Sequence, residues 1–262
     1  MSIENKINVT IENKIATVTL NNPKSKNSVS LEMWKRLASI FEELSSASNV
    51  RVILFTGSGG NFCSGADISE FGRVRGNSAQ VHAYEQAVDD ASESILHCKK
   101  PVIAMIEGYC IGGGMGLAMA CDFRIATLDA CFFIPASRMS IVYGLRETQT
   151  LLALVGLTQA KRILYLGERI YTDTAKEIGL VDQSTPKSKL IETTTNFIRL
   201  FEPAAPLTVS GSKEILNRLT FDINKETAKQ LLAVIQEAGD SEDYQEGRLA
   251  FSEKRLPNFK GK

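Results

Sequence analysis

"IGGGMGLAMACD", residues 111–122, sets three consecutive glycines at the mouth of an apolar helix. A glycine inside a helix costs about 1 kcal/mol relative to alanine, so three together call for a reason. A dinucleotide site would need GxGxxG, but the sixth residue counted from Gly112 is Leu117 and from Gly114 it is Met119. The chain carries neither a Gly-Lys-Ser/Thr phosphate loop nor a GxSxG nucleophile turn, and neither of its histidines, His82 and His97, falls near a plausible nucleophile. Two uses of the glycines remain. They permit close helix packing, or they form an anion hole: a helix N-terminus offers unpaired N–H donors and a partial positive charge, and glycine lets a ligand oxygen approach without meeting a Cβ.

A second stretch, "NFCSGADISEF" at 61–71, has the same character, with small residues leaving a strand and Asp67 entering a turn. Two such segments can each offer one N–H to a single carbonyl oxygen, and each donor aimed at developing negative charge is worth ~10²–10³ in rate.

The surrounding pattern is α/β. "INVTIE" (7–12) and "IATVTL" (15–20) alternate around Asn13-Lys14 as an opening hairpin, and Ser30 caps the helical "LEMWKRLASIFEELSSA". "VRVILFTG" (50–57) is a buried strand running into Gly57–Gly60, 78–97 is a helix, Pro101 opens the buried strand "VIAMIEG", and another strand follows at 123–126. Such alternation predicts an α/β core with largely parallel strands. From about residue 145 the pattern reads as helical to the end, with Pro203 and Pro206 breaking it before helices at about 206–219, 224–238 and 241–253. The expected organisation is a core over 1–200 and a helical region over 201–262. Apolar faces at Leu231, Leu232, Val234, Ile235, Leu249 and Phe251 exceed what an appendage needs for its own packing and predict self-association.

Thirty basic residues balance thirty acidic ones among 262, which gives nucleic-acid or membrane-surface binding no electrostatic support. A hydrophobic content of 44% suffices for a sizeable core. Five cysteines without a CxxC pair predict a reduced, cytoplasmic protein with no zinc site. The start lacks an apolar signal core, and no run approaches 18 apolar residues, so no membrane span is expected.

"FCSGADISEF" and "IEGYCIGGGMGLAMACDFRIA" resemble the two signature segments of the crotonase (enoyl-CoA hydratase/isomerase) superfamily. "LNNPKSKNSVS" is similar to its first CoA-contacting loop, and "EGRLAFSEKRLPNFKGK" to its tail. The resemblance implies a spiral of ββα turns with a helical C-terminal trimerisation region, in trimers that often pair into hexamers. It implies an acyl-CoA substrate, with no prosthetic group, whose thioester oxygen sits between the N–H groups of Ala66 and Gly113. It places Lys24 and Lys26 near the nucleotide end, Ser64, Asp67, Ile68 and Gly112 along the pantetheine path, and Phe251 and Lys254 in a neighbouring subunit's CoA site. For the lysines a solvated surface cation is the plainer alternative, and for Asp67 a turn-stabilising role. Asp122 and Arg124 read as anchors of the strand–helix junction.

A family hydratase carries two glutamates, at positions that here hold Gly116 and Ala136. Hydration needs a general base. Arg138, always protonated, can hold an anion but cannot act as a base. Tyr143 is an acid rather than a base, and counting back from Thr148-Gln149 it falls near a tyrosine of the family's decarboxylating branch. Glu147 falls on the next helix, where a surface position is the plainer reading. Loss of CO2 from a malonyl-type thioester needs the hole and no base, so the missing pair suits decarboxylation better than hydration. An Arg138 clamp on the carboxylate would oppose it by stabilising the ground state. Three readings stand: an enolate-forming acyl-CoA enzyme, a malonyl- or methylmalonyl-CoA-type decarboxylase, and a non-catalytic CoA-binding protein.

Overall fold

The computed structural model of the protein describes residues 6–221, Lys229, Gln236 and 239–258. Strand β1 (Ile7–Glu12) runs antiparallel to β2 (Ile15–Leu20). Asn13 and Lys14 between them take φ of 50° and 65°, the mirror-image turn that matches strand twist. Helix α1 (Leu31–Ser46) begins where Ser30 Oγ accepts the Met33 N–H, and it buries Trp34, Leu37 and Phe41 at helical spacing.

Strand β3 (Val52–Gly57) leads through the 61–71 loop into the single turn α2 (Phe71–Val74) and the long α3 (Ser78–Leu96). Two strand–strand–helix units follow: β4 (Val102–Ile106), β5 (Tyr109–Ile111) and α4 (Gly113–Ala120), then β6 (Phe123–Thr127), β7 (Cys131–Phe133) and α5 (Leu145–Leu166). The chain ends through β8 (Ile170–Tyr171), α6 (Thr172–Glu177), β9 (Gln183–Thr185), α7 (Leu190–Arg199), α8 (Pro206–Phe221) and α9 (Glu242–Ser252).

The main sheet has the order β1-β2-β3-β4-β6-β9, parallel throughout apart from β1. A smaller sheet orders β5-β7-β8. Each strand–strand–helix unit gives one strand to either sheet, which is the spiral that the resemblance implies. Alternation along β3 sends Ile53 and Phe55 toward α1, with Phe55 edge-on to Phe41 and Phe62 at 5.4 and 5.3 Å. Val52 points to the opposite face, where Ile103, Ile125 and the α7 residues Leu190 and Ile198 pack.

Asp122 and Arg124 anchor the junction as expected. Asp122 Oδ2 accepts the Val102 N–H and Lys213 Nζ, while Arg124 donates to the Leu180 and Cys121 carbonyls and to Asp182. The helical reading beyond residue 145 is corrected by β8 and β9, which at two and three residues are too short to show alternation. The helix expected at 224–238, with Leu231, Leu232, Val234 and Ile235, lies outside the described residues, Lys229 and Gln236 apart. No described helix is long and apolar enough to cross a membrane.

Candidate active site

The two glycine-bearing segments meet at the N-terminus of α4. The Cys63 N–H donates to the Tyr109 carbonyl and the Cys63 carbonyl accepts from Ile111, both at 2.9 Å, which ties the 61–71 loop to β5. On its other side Val29 N–H donates to the Gly65 carbonyl and the Val29 carbonyl accepts from Asp67. These bonds consume the groups on either side of Ala66. Among the described residues, neither the Ala66 N–H nor the Gly113 N–H donates to a backbone carbonyl. Gly113 opens α4, where the first amides have no partner within the helix. The two segments lie close together: a Cβ built on Gly113 would stand 3.8 Å from Ala66 N.

The glycine run also has a packing cause. Gly112 takes φ 53°, a backbone that side chains rarely adopt, and a Cβ at Gly114 would meet the Cys63 carbonyl at 2.5 Å. Close packing and exposed donors are therefore one device, since the approach of α4 to the loop brings both N–H groups to the same cavity. That cavity holds about 230 Å³ and is lined by Ala66, Gly112 and Gly113, with Ile68, Phe71, Met139 and Ile141 among its apolar walls. An apolar chamber with two unpaired amides at one end suits a ligand that has a hydrophobic chain and a carbonyl oxygen.

The enoyl-CoA hydratase/isomerase family model matches residues 10–262. The chain belongs to that family. It is 33% identical to the short-chain-enoyl-CoA hydratase of Clostridium acetobutylicum, with 96% of each chain covered. It is 31% identical to the (E)-benzylidenesuccinyl-CoA hydratase of Thauera aromatica, over 97% of this chain and 99% of the relative. A solved methylmalonyl-CoA decarboxylase in complex with 2-nitronate-propionyl-CoA superposes with a TM-score of 0.88 at 27% identity, covering 98% of this chain and 99% of the other. The crotonase fold and acyl-CoA processing follow for this chain.

Ser64, Ile68 and Gly112 line the cavity of this crotonase-family chain with Ala66 and Gly113. Asp67 does not. It accepts from the Ser69 N–H and hydroxyl at 3.1 and 2.6 Å, the turn-stabilising alternative. Lys24 and Lys26 are exposed on a loop fastened to the cavity wall, where Ser64 N–H donates to the Lys26 carbonyl. Lys26 Nζ lies 4.4 Å over the Tyr109 ring. Phe251 and Lys254 are exposed and line no part of this chain's own cavity.

Two readings from sequence need correction. Arg138 is exposed, stacks 5.3 Å over Phe133 and does not line the cavity, so it is not placed to clamp a ligand there. Glu147 is not on the surface of α5. It is only 4% exposed and lines the cavity, because α5 enters over α4 and turns its first turn inward. Glu147 Oε2 and the Ser92 hydroxyl are both buried without a partner in hydrogen-bond geometry, although Ser92 and the Glu147 backbone N–H lie near enough to favour the charged form. Burial holds the Glu147 carboxyl above the usual carboxylate range.

Tyr143 donates its hydroxyl to the Gly112 carbonyl at 2.9 Å. Burial first, then the Glu147 charge, pushes its phenol well above the ordinary value, so it stays a neutral donor. Gly116 and Ala136, where the resemblance leads one to expect glutamates, bring no carboxylate, yet the cavity is not without carboxylates. A Cβ on Gly116 would meet Glu147 Cγ at 2.9 Å and the Tyr143 hydroxyl at 3.2 Å. The space a side chain at 116 would take is filled from α5.

Sequence reasoning missed Asp89 altogether. It lines the cavity from α3, half-buried, and burial, with the Glu147 charge second, pushes its carboxyl up to about 8. Ala87 and Ala91, which α3 buries, lie two residues to either side and so face another way, leaving no sign of it in the sequence. Arg75, also on the cavity wall, is held by the Tyr244 hydroxyl and Glu85 at 2.9 and 3.1 Å.

Proposed function

We propose that this protein forms and stabilises an acyl-CoA enolate, binding the thioester oxygen between the N–H groups of Ala66 and Gly113 and moving the α-carbon proton with Glu147. One observation carries the reading: a buried carboxyl with an unpartnered oxygen stands beside Gly116, in the cavity that Ala66 and Gly113 also line. An unpaired buried carboxylate is costly, and a proton removes most of that cost. A buried carboxyl raised above its ordinary value, and so able to keep its proton to higher pH, is the kind of group that general acid–base catalysis uses. This makes hydratase or isomerase chemistry on an enoyl thioester the first reading, in place of the base-free site inferred from Gly116 and Ala136 alone. Its test is turnover of crotonyl-CoA by the intact protein and by Glu147→Gln. Replacement of the carboxyl should lower kcat by ~10²–10⁴, the usual contribution of a placed acid–base group. Equal rates in both would overturn the role of Glu147.

Decarboxylation of a methylmalonyl-type thioester is the second reading. It is favoured by the Tyr143 hydroxyl beside the donor pair and by the TM-score of 0.88 to the solved decarboxylase. Departing CO2 leaves its electron pair on the α-carbon, and only a proton donor is then needed. Turnover of methylmalonyl-CoA with silence on crotonyl-CoA would select it. Binding without turnover across both would select a non-catalytic role.

We further propose that the chain works as a trimer or a pair of trimers through its C-terminal helical region, with Phe251 and Lys254 serving a neighbour's CoA and Lys24 and Lys26 the nucleotide end. The support is the apolar surface that α8 leaves exposed, including Leu207 and Leu219.

A further inference from the structure

Each N–H of the donor pair shares a peptide unit with the carbonyl of the residue before it. The Ala66 N–H is joined in this way to the Gly65 carbonyl, and the Gly113 N–H to the Gly112 carbonyl. Both preceding glycines hold backbone angles that side chains rarely adopt, with φ 93° at Gly65 and 53° at Gly112. A peptide that follows such a residue can turn over unless something holds it. Turned over, it would present a carbonyl oxygen to the ligand in place of the N–H.

Both carbonyls are held from behind. The Val29 N–H donates to the Gly65 carbonyl at 2.8 Å. The Gly116 N–H donates to the Gly112 carbonyl at 3.1 Å within the first turn of α4, and the Tyr143 hydroxyl donates to the same oxygen at 2.9 Å. Among the described residues, Tyr143 is the one side chain that bonds to either carbonyl. A carbonyl only accepts, so the hydroxyl proton lies on the Gly112 oxygen. Room for the phenol comes from Gly116, where a Cβ would stand 3.2 Å from the hydroxyl. The bare backbone at 116 thus admits Tyr143 over the start of α4.

We propose that Tyr143 is a positioning residue of the anion hole: its hydroxyl holds the Gly112–Gly113 peptide with the N–H toward the cavity and strengthens that N–H as a donor to the thioester oxygen. The inference rests on the acyl-CoA reading above and adds a residue that acts through the hole. A hydrogen bond at a peptide oxygen draws electron density from the nitrogen and makes the N–H more positive, by roughly 10–30% per bond in strength. It also adds one bond that turning the peptide over must break. Both gains are in place before a ligand arrives, as preorganised stabilisation requires. The hole is common to hydration, isomerisation and decarboxylation, so the clamp serves any of them. A hydroxyl has one proton. While that proton rests on Gly112 it is not given to the α-carbon, and clamp and proton donor are therefore separable roles.

The test reads the hole without any reaction. Butyryl-CoA labelled with 13C at the thioester carbon has neither a double bond to hydrate nor a carboxylate to lose. Its carbonyl stretch is measured by infrared difference spectroscopy in solution, on the natural protein, and on Tyr143→Phe and Gly113→Pro checked for folding by circular dichroism. A further variant carries 3-fluorotyrosine at position 143, which keeps the shape and makes the phenol a stronger donor. The bound stretch should lie below its solution value in the natural protein. It should move back part of the way in Tyr143→Phe, further in Gly113→Pro, and in the opposite direction with 3-fluorotyrosine. For whichever thioester the protein turns over, kcat of Tyr143→Phe should fall by roughly 3–10-fold, the worth of one hydrogen bond, with KM little changed. An unmoved stretch in Tyr143→Phe overturns the proposal, and a rate lost without that movement makes Tyr143 a proton donor instead. Should Tyr143→Phe not fold, the fluorinated variant decides, and an unmoved stretch there overturns the clamp. A stretch at its solution value in the natural protein means that the hole itself fails, and the clamp with it, whereas a lowered stretch insensitive to position 143 leaves the hole standing and removes only Tyr143.

Discussion

Glu147 of α5 and Gly116 of α4 share one space, for a Cβ on the glycine would stand 2.9 Å from Glu147 Cγ. Restoring the family's usual glutamate at 116 therefore conflicts with the carboxyl already present. Gly116→Glu alone should destabilise the fold by about 1–3 kcal/mol through overpacking and lower activity on crotonyl-CoA. Adding Glu147→Ala should relieve the crowding and recover at least about tenfold, part of the ~10²–10⁴ that a placed acid–base group supplies. Thermal melts and initial rates on the two variants check this. A fully active single variant would show that the two side chains do not compete.

A second prediction separates the Gly113 amide from the space around it. Gly113 is the first residue of α4, a position that accepts proline. A Cβ there would press on the Trp34 ring at 3.0 Å, so Gly113→Ala and Gly113→Pro share that strain, and proline alone loses the N–H. The rate of Gly113→Pro should lie ~10²-fold or more below that of Gly113→Ala. Similar rates in the two would remove this amide from the mechanism.

The main elements and the glycine-bearing segments that line the cavity were legible because they rest on short-range patterns. The turn at Asn13-Lys14, the Ser30 cap and the glycine run each announce themselves within a few residues. The carboxyls were not legible, since Glu147 reaches the space beside Gly116 only through the crossing of α5 over α4. Its neighbours in sequence, Arg146 and Thr148, give no hint of burial. Asp89 was hidden for the same reason, and Arg138 was overestimated because nearness along the chain was taken for nearness to the cavity.

The raised carboxyls also predict how stability follows pH. A carboxyl whose folded value lies above its unfolded one binds its proton more tightly when folded. Stability is then full below the ordinary values, 3.8 for Asp89 and 4.5 for Glu147, and is lost as pH rises through the raised folded values, about 8 for Asp89. Glu147→Gln should therefore melt higher than the natural protein at pH 8, by roughly 1–3 kcal/mol, the penalty of one unsatisfied buried group. At pH 5 the two should nearly coincide. A difference independent of pH would mean that Glu147 does not titrate in this interval.

Assembly is open to direct measurement. Leu207 and Leu219 of α8 are 87% and 80% exposed in the single chain, apolar surface that a partner would cover. Sedimentation should report a trimer or hexamer at micromolar concentration. A lone species of 28.7 kDa would contradict the proposed assembly.

The protein contains a single tryptophan, and Trp34 lines the cavity, with its indole N–H donating to the Tyr84 hydroxyl at 3.0 Å. Its ring borders the amide of Gly113, so an acyl group seated there would change the polarity around the fluorophore. The chain thus carries a built-in optical gauge of occupancy. Unlabelled protein can be titrated with thioesters and ranked by emission before any reaction has been assigned to it.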